Sequence, residues 1–243
     1  MHCPSCQSTE ISKNGFRDGK QNHRCRSCGR QFVANPHRHR GYSDDVRELC
    51  LKMYVNGMGF RAIERVTEIH HTTIIGWVKQ ADLHLEEMEA LEEDSEESEY
   101  PEVGEVDELH TFVGSKQNPR WVWTAVNHFQ AGILDWTVGD RSARTFKPMW
   151  ERIKVWDCYF WVSDGWKVYD QFLPDEDRII SKTYMTRVEG ENTRLRHYLA
   201  RLKRKSLCYS KCEEMLKRSI HLLLYYLKQG RVPLPQRHPA FLP

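Results

Sequence analysis

Three carboxylates in the C-terminal two thirds of the sequence have the types and surroundings to hold hard metal ions. Asp107 lies in Val106-Asp107-Glu108-Leu109-His110, Asp164 closes the apolar run Tyr159-Phe160-Trp161-Val162-Ser163, and Glu189 opens the helical pattern Val188-Glu189-Gly190-Glu191-Asn192. Carboxylate oxygens suit Mg²⁺ or Mn²⁺, ions that keep open positions for water and phosphate oxygens. Two such ions can activate an attacking oxygen and stabilise the leaving oxygen of a phosphodiester. Each acid also has a plain reading: Asp107 as part of an acidic linker, Asp164 before Gly165 as a helix N-cap, Glu189 as an exposed helix charge. Glu108 and Glu191 are rivals nearby. Strand alternation turns Glu108 away from Asp107, and helix phase turns Glu191 about 200° from Glu189. The residues alone leave the choice of ligands open.

A second set of ligands stands at the other end of the chain. Cys3-x2-Cys6 and Cys25-x2-Cys28 are separated by eighteen residues. Two such knuckles complete a closed, tetrahedral four-thiolate zinc site with no position left for water. A module of about forty residues buries too little apolar surface to fold alone, so structural Zn²⁺ would supply folding energy. Two disulfides are the other reading of the same cysteines. His2 and His23 lie beside the ligands and are read as bystanders; Cys50, Cys158, Cys208 and Cys212 are read as packing residues.

The elements that must position these groups read as a multidomain chain: a zinc ribbon (1–35), an all-α helix-turn-helix (42–85), an acidic linker (86–101), an α/β catalytic domain (102–229) and a Pro-rich tail (230–243). Ser43 offers an N-cap, Asp44 and Asp45 fill a first turn, and Val46, Leu49, Cys50 and Met53 recur at helical spacing until Gly57. A second helix is expected over about 60–66. After the turn Thr67-Glu68-Ile69-His70 comes a third helix, with Ile74, Trp77, Val78 and Ala81 on one face. His71, Thr72, Thr73 and Lys79 are expected to stay exposed there, facing base edges and phosphates. Helical periodicity continues through Leu83, Leu85, Met88 and Leu91 before dissolving into the run Glu92 to Glu99.

Strands are expected over 103–113, 121–128 and 133–138, with turns at Asn118-Pro119 and Ala131-Gly132. A helix over 143–154 leads to a strand at 158–162, apolar on both parities as a strand covered on both faces should be. Further elements fall near 166–172, 179–182, 187–204 and 210–228. Meander, helix, buried strand, helix is the element order of an RNase H-like domain with a mixed sheet. On the helix over 187–204, Glu189, Asn192, Arg196 and Lys203 form one stripe beside the packing stripe Val188, Leu195, Leu199 and Leu202.

Charge supports a polyanionic partner. The formal net charge of +2 hides a partition: residues 82–108 hold fourteen acidic residues and no Lys or Arg, while residues 1–81 carry 13 basic against 7 acidic and residues 109–243 carry 23 against 13. Two basic bodies joined by an acidic strip fit a polyanion touched by both, though an ordinary solvated surface gives the same charge. The longest apolar run, Leu222 to Leu227, is too short to span a bilayer, and no basic-then-apolar leader opens the chain. The expectation is a soluble cytoplasmic protein with no membrane partner.

From about residue 1 to 229 the chain resembles transposases of the bacterial insertion sequence 1 family. The resemblance is carried by Cys3-Pro4-Ser5-Cys6, Gly57-Met58-Gly59-Phe60-Arg61-Ala62, Val106-Asp107-Glu108, Ser163-Asp164-Gly165-Trp166, and Arg187-Val188-Glu189 with Leu199-Ala200-Arg201-Leu202-Lys203. Members of that family resemble one another in a zinc finger, a helix-turn-helix and an Asp-Asp-Glu catalytic domain with 24 residues between the second and third acids. Asp164 and Glu189 match that interval, Arg196 the basic residue seven positions on, and Asn192 the motif's Asn. The resemblance thus implies Asp107, Asp164 and Glu189 as the catalytic set with Mg²⁺ or Mn²⁺, and Asn192 and Arg196 steadying a DNA end. It implies binding to double-stranded DNA at transposon ends and target, joining of a 3′-hydroxyl to target DNA, and a homo-oligomer that pairs two ends near the nucleoid. A DNA-binding regulator with an inactive catalytic domain, and a nuclease that cuts without joining, are the alternatives. The long acidic linker and the Pro-rich tail depart from the family pattern.

Overall fold

A computed structural model of the chain describes residues 1–17, 19–33, 41–92, 100–203, 205 and 208–235. The basic arm read at 36–40, the acidic run at 93–99 and residues 236–243 of the tail lie outside these. Two compact units are present, one within Met1–Ser43 and one within Asp44–Gln236.

The first unit is a three-stranded antiparallel sheet of β1 (Ile11–Arg17), β2 (Lys20–Cys25) and β3 (Gln31–Val33). Its cysteine knuckles are closed by backbone bonds: the Gln7 N–H donates to the Cys3 carbonyl at 2.9 Å and the Gly29 N–H to the Cys25 carbonyl at 3.0 Å. Gly29 adopts φ 71°, a conformation open to glycine at little cost, which lets the second knuckle turn back.

The second unit begins with α1 (Asp44–Val55), α2 (Phe60–Thr67) and α3 (His71–Glu92). A five-stranded mixed sheet follows, in the order β6-β5-β4-β7-β8. Its strands are β4 (Val103–Val113), β5 (Ser115–Asn127), β6 (Ile133–Gly139), β7 (Phe160–Ser163) and β8 (Arg178–Ile180). The first three form the antiparallel meander; β7 and β8 add in parallel. Helix α4 (Ala143–Ile153) covers one face, where Val106, Trp123, Phe146, Met149 and Trp161 form a core. Helices α5 (Thr186–Tyr198) and α6 (Glu213–Gln229) cover the other. In β7, Trp161 joins the first core and Val162 the opposite one, the two-sided burial that its apolar run predicts.

Helices α1 to α3 share a single core with the sheet and α5–α6: Tyr54, Ile63, Ile74 and Val78 pack with Leu109, Leu195, Leu199 and Leu223. A buried polar cluster ties the same parts. The Arg201 guanidinium donates to the Tyr54 hydroxyl at 2.7 Å and the Ser219 hydroxyl at 2.6 Å, and the two hydroxyls lie 2.6 Å apart. At Gly57 (φ +91°) a Cβ would lie 2.3 Å from the Tyr198 carbonyl oxygen, so the α1–α2 corner rests directly on the end of α5.

Three elements differ from expectation. The turn between β4 and β5 is made at Gly114 (φ 74°), not at Asn118-Pro119. Pro119 is a strand residue opposite Phe112, beyond the stretch of β5 that β6 covers, so its missing N–H interrupts no ladder there. The helix expected over 187–204 stops at Tyr198: Leu199 is extended (φ −101°, ψ 99°), and a 3₁₀ turn over Ala200–Leu202 follows. Lys203 is therefore off the stripe of Glu189, Asn192 and Arg196. The helix expected near 166–172 is a 3₁₀ turn at Tyr169–Gln171. The tail begins as packed chain, since Val232 is buried in the α-helical core beyond the Gly230 cap of α6.

Candidate active site

Strand β4 aims its odd-numbered residues at α5. Glu105 accepts the Val188 N–H at 2.8 Å, Asp107 accepts the Asn192 amide N–H at 2.8 Å, and Leu109 shares a core with Leu195. The match is metrical: two strand residues advance about 6.7 Å and four helical residues about 6 Å, so one face of β4 keeps step with one stripe of α5. The even-numbered Glu108 faces the opposite way. It accepts from the Tyr169 hydroxyl at 2.7 Å and from Arg141 Nε at 2.9 Å, beneath α4.

Strand register brings the second acid to the first. β7 runs parallel to β4 with Glu105 beside Val162, and continuing that register by two residues carries Asp164, just past the end of β7, towards Asp107, whose carboxyl its charge reaches. Its Oδ1 accepts the Trp166 N–H at 2.9 Å across Gly165, whose φ is +64°. No helix begins at Gly165, since the 3₁₀ turn that follows is capped at Val168, so Asp164 closes a local side-chain turn rather than capping a helix, and its other oxygen has no hydrogen-bond partner among the described residues. Arg141 lies 3.9 Å over the Trp166 ring while pairing with Glu108, so one guanidinium buttresses the loops beneath both aspartates.

Glu189 enters from the first turn of α5 and is exposed. Burial foremost, and then the charges of Asp164 and Glu189, push the Asp107 carboxyl above its ordinary range, against hydrogen bonds from the Glu108 backbone and Asn192. Among the described residues none of the three acids forms an ion pair. Their oxygens are not gathered into one tight cluster, and Asp107 and Glu189 border an open cleft of about 530 Å³ together with Asn192, Arg196 and Arg141. Unneutralised oxygen donors on a shared face, open to solvent, fit hard divalent cations.

Asn192 is 4 % exposed and has both amide ends engaged, its oxygen accepting from Thr124 at 3.1 Å. Arg196 is half-buried at the cleft, its guanidinium 3.5 Å from the His110 carbonyl. Lys203 is exposed. On α3, Thr72 and Lys79 are exposed, but His71 and Thr73, expected to be, are half-buried. His71 bends back to Glu64, with Nδ1 2.9 Å from its Oε2. Glu191, the rival to Glu189, is buried and accepts the Gly132 N–H at 2.9 Å, which leaves it a structural acid. Glu105 is the residue that the sequence reading missed. Fully buried, it holds the third N–H of α5 and the His128 ring, and thereby fixes the turn that carries Glu189. Its place two residues before Asp107, on the same strand face, is the signal available in the sequence.

In the first unit the four cysteines are free thiols within 4.8 Å of one another, and His2 and His23 are outside the group. The Sγ–Sγ separations of 3.6 Å for Cys3–Cys28 and Cys6–Cys25 are close to the roughly 3.8 Å spacing of thiolates around tetrahedral zinc. Backbone hydrogen bonding at Cys28, the largest influence, helps draw the Cys25 thiol down to about 6.

The chain is similar to known proteins over its second unit. Residues 102–228 match the family model of the IS1 transposase. The insertion element IS1 protein InsB of Shigella sonnei is 35 % identical over 109 residues, spanning 45 % of this chain and 83 % of that protein. The insertion element IS1 9 protein InsB of Escherichia coli K12 and an IS1 protein InsB of Haemophilus ducreyi show the same identity, with 65 % of their own length covered. With the match running through both aspartates and the helix that bears Glu189, this chain belongs to the IS1 transposase family.

Proposed function

We propose that the chain is a metal-dependent DNA transposase whose mixed sheet is an RNase H-like catalytic core and whose catalytic set is Asp107, Asp164 and Glu189. The observation that supports this reading is that Asp107 and Glu189, from β4 and α5, border an open cleft, with the charge of Asp164, from the end of β7, close enough to act on Asp107. Bound there, Mg²⁺ or Mn²⁺ would supply Lewis-acid activation of the attacking oxygen and charge stabilisation at the leaving oxygen. The chain's own part is to hold and orient. Asn192 fixes the rotamer of Asp107, the Trp166 N–H fixes Asp164, and Glu105 fixes the first turn of α5 beneath Glu189. Arg196 in the cleft and Lys203 supply cations for the DNA backbone.

In the proposed reaction, water displaces the 3′-oxygen at a transposon end, which departs as a hydroxyl. That hydroxyl then loses its proton, attacks a target phosphorus in line, and displaces the target's own 3′-oxygen. Helices α2 and α3 are the helix-turn-helix that reads the terminal repeat through Thr72, Lys79 and the neighbouring Thr73, while His71 is turned back to Glu64. The four-cysteine unit is a structural zinc ribbon, with Cys3, Cys6, Cys25 and Cys28 as ligands. Pairing of two ends calls for a homo-oligomer. Among the described residues no helix is long and apolar enough to cross a membrane.

The test is incubation of the full chain with end-bearing DNA and Mg²⁺, followed by mapping of products. Covalently joined target is expected, and Asp164→Asn is expected to abolish joining while sparing binding. Joining retained in that variant would refute the assignment of the acid; cut but unjoined ends would indicate a nuclease, and salt-dependent binding without cutting a regulator.

A further inference from the structure

At the corner between α2 and α3, three side chains that the proposed catalysis does not use converge. Glu64 comes from α2, His70 from the turn, and His71 is the first residue of α3. One ligand atom from each lies within 4.8 Å of the other two. His71 Nδ1 is 2.9 Å from Glu64 Oε2, and His70 Nε2 is 3.9 Å from Glu64 Oε1. Nitrogen and oxygen ligands on tetrahedral zinc stand about 3.3 Å apart; the two distances run to different Glu64 oxygens, and small side-chain rotations would bring one atom from each residue from within 4.8 Å to that spacing. The other nitrogen of His70 sits 2.7 Å from the Thr72 hydroxyl, a supporting contact of the kind that orients metal-bound imidazoles. His70 is largely exposed, with 62 % of its side chain accessible, so an ion can enter from solvent.

We propose that Glu64, His70 and His71 form a second metal site, for a borderline divalent transition ion such as Zn²⁺, Co²⁺ or Ni²⁺, with water in the remaining position. Two imidazoles select these ions over Mg²⁺, which prefers oxygen. The ion would pin the start of α3 to α2 across the turn, beyond the hydrogen bond that joins His71 to Glu64.

The probe is Co²⁺, titrated into the full-length Asp164→Asn chain with zinc already in its cysteines and Mg²⁺ in excess, which keeps the catalytic acids out of the readout. One further equivalent is expected, with the weak visible bands of nitrogen and oxygen ligation, no sulfur charge-transfer band, and a rise in thermal midpoint. His70→Ala alters an exposed side chain and is expected to weaken the binding by on the order of 100-fold or more. Glu64→Gln gives a second, independent loss of ligand. No further equivalent, a sulfur-type spectrum, or binding unchanged in both variants would overturn the site; because Asp164 is already replaced, none of these results bears on the catalytic assignment.

Discussion

At Asp107, burial and two like charges oppose ionisation. A carboxyl whose folded pKa is raised stabilises the fold most below the ordinary carboxylate range, and that contribution is lost as pH rises through the raised value. At neutral pH and without divalent metal, the ionised acid therefore works against the fold. Asp107→Asn is expected to raise the thermal midpoint of metal-free protein at pH 7 while eliminating Mg²⁺-dependent joining; a lowered midpoint would show that the carboxylate is structural. Asn192 acts in the opposite sense. Asn192→Ala strips partners from Asp107 and from the buried Thr124 hydroxyl, and is expected to cost about 1–3 kcal/mol in urea unfolding and to lower kcat.

Among the elements, α5 has its place determined by β4. Glu105→Ala removes the acceptor that holds the Val188 N–H and the hydrogen-bond partner of the His128 ring, a loss expected to cost about 1–3 kcal/mol. Turnover should fall with it through displacement of Glu189. A stability change below 1 kcal/mol in denaturant titration would be incompatible with that anchoring role. The pairing of Asp107 with Asp164 was legible because strand alternation and a two-sided apolar run locate both acids. Glu105 was not, since it lies in the expected strand without any local mark of a role and its partner is 83 residues away. The break at Leu199 was hidden for a related reason. Leu199 and Leu202 continue a helical apolar pattern, but the end of α5 meets Gly57 and Arg201 reaches Tyr54 and Ser219, contacts that no local periodicity encodes.

On the scale of the whole second unit, α3 is fastened to α6 by an ionic cluster. His221 lies 2.9 Å from Asp82 and 2.9 Å from Glu89, while Arg218 holds the other Asp82 oxygen at 3.1 Å. Although burial alone would lower it, the bonds to Asp82 and Glu89 raise the His221 pKa to about 9. A raised histidine gives stability that is full below its unfolded value near 6.5 and is lost as pH rises through about 9. The thermal midpoint should decline across that window in the wild type and lose this pH dependence in His221→Ala; parallel profiles would rule the cluster out as its source. The helical module and the mixed sheet thus share both a core and its fastenings within one compact unit. The contact of Gly57 with the Tyr198 carbonyl then bears on where the proposed transposase would cut. With no side chain between the two backbones, the α1–α2 corner that leads into the proposed DNA-reading helices and the acid-bearing helix have a set separation, which would act as a ruler. The scissile phosphate should fall at a constant number of base pairs from the bound repeat, and shifting the repeat should shift the cut by the same amount.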